Sequence, residues 1–196
     1  MPSGRPSTAL QTPHTVSNPK PPAVPHHAGR PAALRDAMIR PMSETSPSHG
    51  IRMIDVGGKP VTTRTARGSA RLVARPETIQ KLRAGELEKG DAVAAARIAG
   101  IMAAKRTSDI VPLCHPLPLE AVEVAIAFPE PGIVTIDTVV RATARTGVEM
   151  EALVAASAAA LTIYDMCKSI DPDMVVEQVR LEEKTGGVRG DYTRRV

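Results

Sequence analysis

Between Leu119 and Leu181 the apolar positions change period twice, and each change predicts an element. Val122, Val124, Ile126 and Phe128 alternate with other residues, as do Val134, Ile136 and Val140, and Pro129-Glu-Pro-Gly132 separates the two runs. Alternation puts one side of each run on a buried face, so this segment predicts a β-hairpin. From about Val148 the period becomes helical, through Ala152, Leu153, Ala155, Ala156 and Leu161 to Met166. Its Ala-rich surface suits close packing on a sheet or on a second copy of itself. A last strand is expected from about Val175 to Leu181, ahead of Glu182-Glu-Lys-Thr-Gly-Gly187.

Upstream, Met53-Ile-Asp-Val56 followed by Gly57-Gly58 reads as a short strand entering a turn. The Thr-rich run from Thr62 to Val73 carries arginines at 64, 67 and 71. It reads either as an exposed edge strand whose charges discourage aggregation or as a set of anion ligands. Pro76 begins a short helix that stops near Gly85, and a second helix runs from about Gly90 to Lys105 with Asp91 as cap or first-turn acid. The small residues Ala96, Ala99, Gly100 and Ala103 in that helix allow another backbone to approach closely. From Asp109 to Leu119 the prolines at 112, 116 and 118 exclude any regular element. Strands and helices mixed with antiparallel pairing indicate an α+β fold.

Composition divides the chain in two. Residues 1–50 hold ten of the eighteen prolines and little apolar periodicity, and read as a disordered Pro-rich extension. Residues 51–196 read as one domain, long enough to bury roughly two thirds of the unfolded surface. The formal charge of +4 resides mostly in the extension, where five Lys/Arg stand against two Asp/Glu. With one Phe, two Tyr and no Trp, the chain lacks the aromatic platform of single-strand binders, so no nucleic-acid partner is expected. The start has no apolar run of signal-peptide length, and no window approaches the roughly twenty apolar residues of a membrane span. A cytoplasmic protein without a membrane partner is expected, with Cys114 and Cys167 as free thiols. Cys114-His115 alone has no diagnostic ligand spacing, so no metal site is expected.

Several charged residues sit among apolar or small neighbours. Asp165 and Lys168, three apart at the end of the long helix, form either a surface ion pair or a proton-transfer pair with pKa values pulled toward neutrality. Lys105 can complement a helix dipole, and Glu149 and Glu151 can be favourable first-turn acids. Those glutamates, two apart, diverge on a helix but share a face if Gly147 keeps the chain extended. His115 lies in the proline-stiffened loop, where Pro116 fixes its direction. At about 1.5 Å per residue, Glu151 and Asp165 are roughly 21 Å apart along one helix. Both clusters can serve one small site only across a subunit boundary, which predicts a symmetric homo-oligomer.

Four segments then carry a resemblance. Lys89 to Thr107, Leu113-Cys-His-Pro-Leu117, Thr146-Gly-Val-Glu-Met-Glu-Ala-Leu153 and Leu161-Thr-Ile-Tyr-Asp-Met-Cys-Lys168 closely resemble the molybdenum cofactor biosynthesis protein C family, from about residue 51 to 191. The resemblance implies a ferredoxin-like fold, a homohexamer built as a trimer of dimers, and sites at subunit interfaces. It implies a lyase that rearranges a cyclic dihydro-GTP derivative to cyclic pyranopterin monophosphate and releases pyrophosphate. Asp165 and Lys168 match the family's acid/base pair, and Lys105, His115, Glu149, Glu151 and Lys184 match other active-site positions. Leu113, Cys114, His115, Met150 and Glu151 match substrate-contacting segments, and Arg64 is assigned with Lys105 and Lys184 to phosphate charge. No cofactor is required, and Mg²⁺ accompanying the triphosphate is compatible with this chemistry.

Two rivals come from other readings. A non-catalytic oligomer that binds nucleoside triphosphates has no use for carboxylates that repel a polyphosphate. A cyclohydrolase acting on ordinary GTP commonly recruits zinc, for which the ligand pattern is poor.

Overall fold

The computed structural model describes residues 50–195, so the expected extension lies outside the described residues apart from Gly50. The elements follow the order β1 (Thr62–Val73), α1 (Pro76–Ala84), α2 (Ala92–Ala104), α3 (Thr107–Ile110), β2 (Ala121–Ala127), β3 (Ile133–Ala144), α4 (Glu149–Cys167), β4 (Val175–Thr185) and β5 (Tyr192–Thr193). One antiparallel sheet runs β2-β3-β1-β4-β5. Because β1 and β2 both run against β3, they are parallel to each other with β3 between them. This is the α+β architecture expected.

Alternation along β1 explains the layering. Positions 64, 66, 68, 70 and 72 are buried under the helices, and Leu72 packs with Val134, Ile136 and Ile163. Arg67 and Arg71 point to the other side, where they meet Glu183 and Glu177 of β4. The expected edge strand is therefore a central one, flanked by β3 and β4. Its arginines look like edge charges because they lie on the face of the sheet away from the helices, with Arg67 exposed and Arg71 partly so. The strand expected at Met53–Val56 is also absent, since that segment pairs with no neighbour, although the turn at Gly57–Gly58 is present.

Both long helices lie on the inner face and pack against each other. Asp91 caps α2 by accepting a hydrogen bond from the Ala94 N–H at 2.9 Å. A Cβ at Gly100 would meet the Ala155 carbonyl at 3.0 Å, so glycine sets the α2–α4 separation. By length and composition, α4 can cross a membrane, with 19 residues and mean hydropathy 1.3. That corrects the expectation that no window approaches a span. Here α4 is apolar because it packs on β1, β3, β4 and α2.

A cap from elsewhere in the chain starts α1. The Arg75 side chain does not cap it; instead Asp171, from the loop after α4, accepts bonds from the Arg75 N–H at 2.8 Å and the Thr78 hydroxyl at 2.9 Å. Burial pushes this 1 % exposed carboxyl up, but those bonds and the Arg75 charge outweigh it and hold it below its ordinary value. Asp171→Ala should lower stability by about 2–3 kcal/mol at neutral pH, because it leaves buried donors unsatisfied. The contribution is complete above about pH 4 and is lost as the pH falls through the depressed value. Urea midpoints of the two proteins should therefore converge in acid.

Candidate active site

A cavity of about 500 Å³ opens where β1, the loop after α3, the start of α4 and the end of β4 meet. Arg64 reaches it from the buried side of β1 and is only 6 % exposed. Its Nε donates to the Ala144 carbonyl and its Nη2 to the Arg145 carbonyl, each at 3.4 Å. Gly186 and Gly187, with φ of 84° and 93°, close the β4 turn over this guanidinium. A Cβ at Gly187 would fall on the fork itself, so the turn both needs glycine and fixes the arginine. Among the described residues no carboxylate lies within ion-pair distance of Arg64.

Lys184 and Glu149 form the opposite wall. The Lys184 ammonium lies 2.8 Å from the Glu149 carboxylate. Glu149 is the first residue of α4, and its carboxylate folds back over Gly147, where a Cβ would collide with it. The helix therefore starts at Glu149, and the extended alternative for residues 149–151 does not apply. Glu149 faces the cavity while Glu151 turns inward, as helical spacing requires. Leu113, Cys114 and His115 line the cavity from the loop after α3, and Met150 from α4.

Beneath the wall, Glu151 is 2 % exposed. Cys114 Sγ donates to its Oε1 at 3.6 Å, a reach that the size of sulfur allows, and its Oε2 has no partner. Burial pushes the Glu151 carboxyl up and outweighs the hydrogen bonds from its own N–H and from Cys114, which favour the ionised form, while Glu149 adds to the upward shift. Burial, then Glu151, pushes the Cys114 thiol up to about 11.

The second predicted cluster lies elsewhere. Asp165 sits at the far end of α4, about 24 Å beyond Glu149 by helix rise. Its carboxylate is held from two sides, by Lys168 Nζ and Lys89 Nζ, each at 2.7 Å. The bond from Lys168, then that from Lys89, holds the Asp165 carboxyl at about 2, and the Lys168 ammonium is raised in turn. In a single chain this is a solvated ion pair with its pKa values driven apart, so the alternative of values pulled toward neutrality does not hold there. Lys105 caps the C-terminus of α2 and is exposed outside the cavity lining.

The structure thus brings Arg64, Leu113, Cys114, His115, Glu149, Met150 and Lys184 together, places Glu151 just below them, and leaves Asp165, Lys168 and Lys105 apart. Four cavity cations escaped the sequence reading: Arg52, Lys59, Arg145 and Arg189. All sit in segments without regular structure, where spacing gives no direction. Position alone offered a signal for Arg145, beside Thr146-Gly147, and for Arg189, inside a glycine-rich turn. Lys89 also escaped, though it opens the first of the four segments.

The model of the MoaC family matches residues 53–187. The cyclic pyranopterin monophosphate synthase of Herpetosiphon aurantiacus is 60 % identical over 141 residues, covering 71 % of this chain and 86 % of that protein. The protein of the same name from Brevibacillus brevis is 48 % identical over 143 residues, covering 73 % and 89 %. Cyclic pyranopterin monophosphate synthase 1 of Mycobacterium tuberculosis is 54 % identical over 143 residues, covering 73 % and 84 %.

Proposed function

The chain belongs to the MoaC family, and from that premise we propose that it is a cyclic pyranopterin monophosphate synthase, a lyase of molybdenum cofactor biosynthesis. It takes a cyclic dihydro-GTP derivative, rearranges the base and closes a cyclic phosphate as pyrophosphate leaves. Arg64 is the observation that carries the assignment of the anion seat. A buried guanidinium with no carboxylate partner is costly unless an anion completes it. Arg52, Lys59, Arg145, Lys184 and Arg189 surround the same space, and among the described residues Glu149 is the single carboxylate in its lining.

Proton transfers are the work of Asp165, Lys168, Glu149, Glu151 and His115. Lys105, Arg64 and Lys184 meet phosphate or leaving-group charge. Leu113, Cys114, His115, Met150 and Glu151 contact or bound the substrate. No cofactor takes part in the chemistry, and Mg²⁺ with the triphosphate is compatible with it. The succession β1-α2-β2-β3-α4-β4 with order β2-β3-β1-β4 supports a ferredoxin-like classification.

A shared site follows from the length of α4. The Asp165 end of one protomer completes the Arg64 cavity of another, within a homohexamer of three dimers in the cytoplasm. The exposed Ile98, Met102 and Leu161 on the helical layer support such a contact, because they are apolar surface that the described residues leave uncovered. Mixing Asp165→Asn with His115→Ala protomers, each inactive alone, should restore roughly a quarter of the sites after subunit exchange. No recovery in a demonstrably exchanged mixture would place both groups in one chain's site or in none.

Turnover is tested by incubating the protein with the cyclic intermediate and following pyrophosphate and the fluorescent oxidised pterin, with ordinary GTP in parallel. Product from the cyclic intermediate only is expected. Binding without turnover would leave a nucleoside-triphosphate-binding oligomer, and turnover of GTP a cyclohydrolase.

A further inference from the structure

Glu151, just beneath the cavity, combines three properties. Its carboxyl is 2 % exposed, one of its oxygens has no partner, and the other meets the thiol of a cavity-lining residue. Burying an ionised carboxylate without a cation is far more costly than burying the neutral acid. Among the described residues no lysine, arginine or histidine lies within ion-pair distance of Glu151. The charged group facing it from its own helix is Glu149, which repels a second negative charge. Lys184 from β4 is turned to Glu149, and Arg64 from β1 to the carbonyls of Ala144 and Arg145. From the loop it meets Cys114, with His115 next in the cavity wall.

We propose that Glu151 is stored as a neutral acid and exchanges its proton with a ligand in the cavity through the Cys114 thiol, which makes Cys114 a catalytic proton relay. The inference rests on the synthase reading for the identity of the ligand. In the forward step the thiol turns its S–H from Glu151 Oε1 toward a basic nitrogen or oxygen of the ligand, and the Glu151 O–H passes its proton to Sγ as the S–H proton passes to that ligand atom. Sulfur begins and ends as a thiol, Glu151 becomes a carboxylate, and the ligand gains one proton. The reverse step resets the pair without any oxidant or co-reactant. A thiol suits this post because burial, the largest cause of its raised pKa, does not depend on the charge of Glu151 and keeps the S–H in place. The geometry also gives the unpartnered Glu151 oxygen a purpose, since a neutral carboxyl tolerates a dry environment that a carboxylate does not.

Infrared spectroscopy and kinetics on the full chain test this together. At neutral pH the wild type should show a protonated-carboxyl stretch that disappears in Glu151→Gln. That band should move to higher frequency in Cys114→Ala, which removes its hydrogen bond, and return toward its original place in Cys114→Ser. Cys114→Ala should lower kcat at least about tenfold with KM within about twofold, and Cys114→Ser should recover most of the loss. A thiol that only fills space would shift the melting temperature and leave the band alone. Absence of the band at neutral pH, or equal kcat in wild type and Cys114→Ala, overturns the proposal. A wild type that does not turn over the cyclic intermediate defeats the synthase reading instead, and the band still decides the state of Glu151.

Discussion

Asp165→Asn is expected to lower turnover of the cyclic intermediate by about 10²–10⁴-fold, the usual contribution of a positioned acid or base, while the protein melts as the wild type does. Both halves of the prediction come from the same surroundings. Asp165 is 54 % exposed and touches only the solvated ammoniums of Lys89 and Lys168, so the fold loses little when its charge is removed. Those ammoniums also make it a feeble base in the single chain, where its carboxyl is held at about 2. Proton transfer therefore requires the substrate or a second protomer to draw one lysine away. A consequence is measurable in kcat/KM, which reports groups of the free enzyme. Where the substrate draws the lysine away, the profile shows no limb from Asp165 until the acid extreme; where the second protomer already does so in the free oligomer, a limb appears at higher pH. Full turnover by Asp165→Asn would remove the residue from the mechanism.

Local rules made much of this molecule legible. Asp91 caps α2 and Gly85, at φ 71°, ends α1, because each signal acts within a few residues of itself. The hairpin of β2 and β3 is equally local, its alternation and its turn lying in one stretch. What escaped depended on partners far away in sequence. The rank of β1 could not be read from its arginines, since Arg67 and Arg71 are matched by Glu183 and Glu177 more than a hundred residues on. The apolar length of α4 reflects its packing on the sheet and on α2, which composition alone does not separate from lipid. At the site, residue types were legible and their grouping was not. Helix rise did show that Glu151 and Asp165 cannot meet within one chain, because a helix is a ruler. No such ruler applies to Arg52, Lys59, Arg145 and Arg189, which reach the cavity from irregular backbone.

Arg64→Met should separate folding from binding, with opposite signs. The guanidinium is 6 % exposed and among the described residues donates only to two carbonyls at 3.4 Å, so it is a nearly uncompensated buried cation. An unbranched apolar side chain of similar length removes that burden, and the melting temperature should stay level or rise. Binding should move the other way. A hydrogen bond to a charged group is worth about 1.5–3 kcal/mol, so the dissociation constant for pyrophosphate should weaken about tenfold to a hundredfold. The stabilisation that pyrophosphate confers in a thermal melt should shrink accordingly. Arg64→Lys should not rescue it, because a single ammonium lacks the fork that Gly187 packs against, and it cannot bond two carbonyls and a phosphate in one plane. Wild-type pyrophosphate affinity in Arg64→Met would move the anion seat out to the other cavity cations, Arg52, Lys59, Arg145 and Arg189. A large fall in melting temperature would mean that the buried charge is held by the fold rather than kept for a ligand.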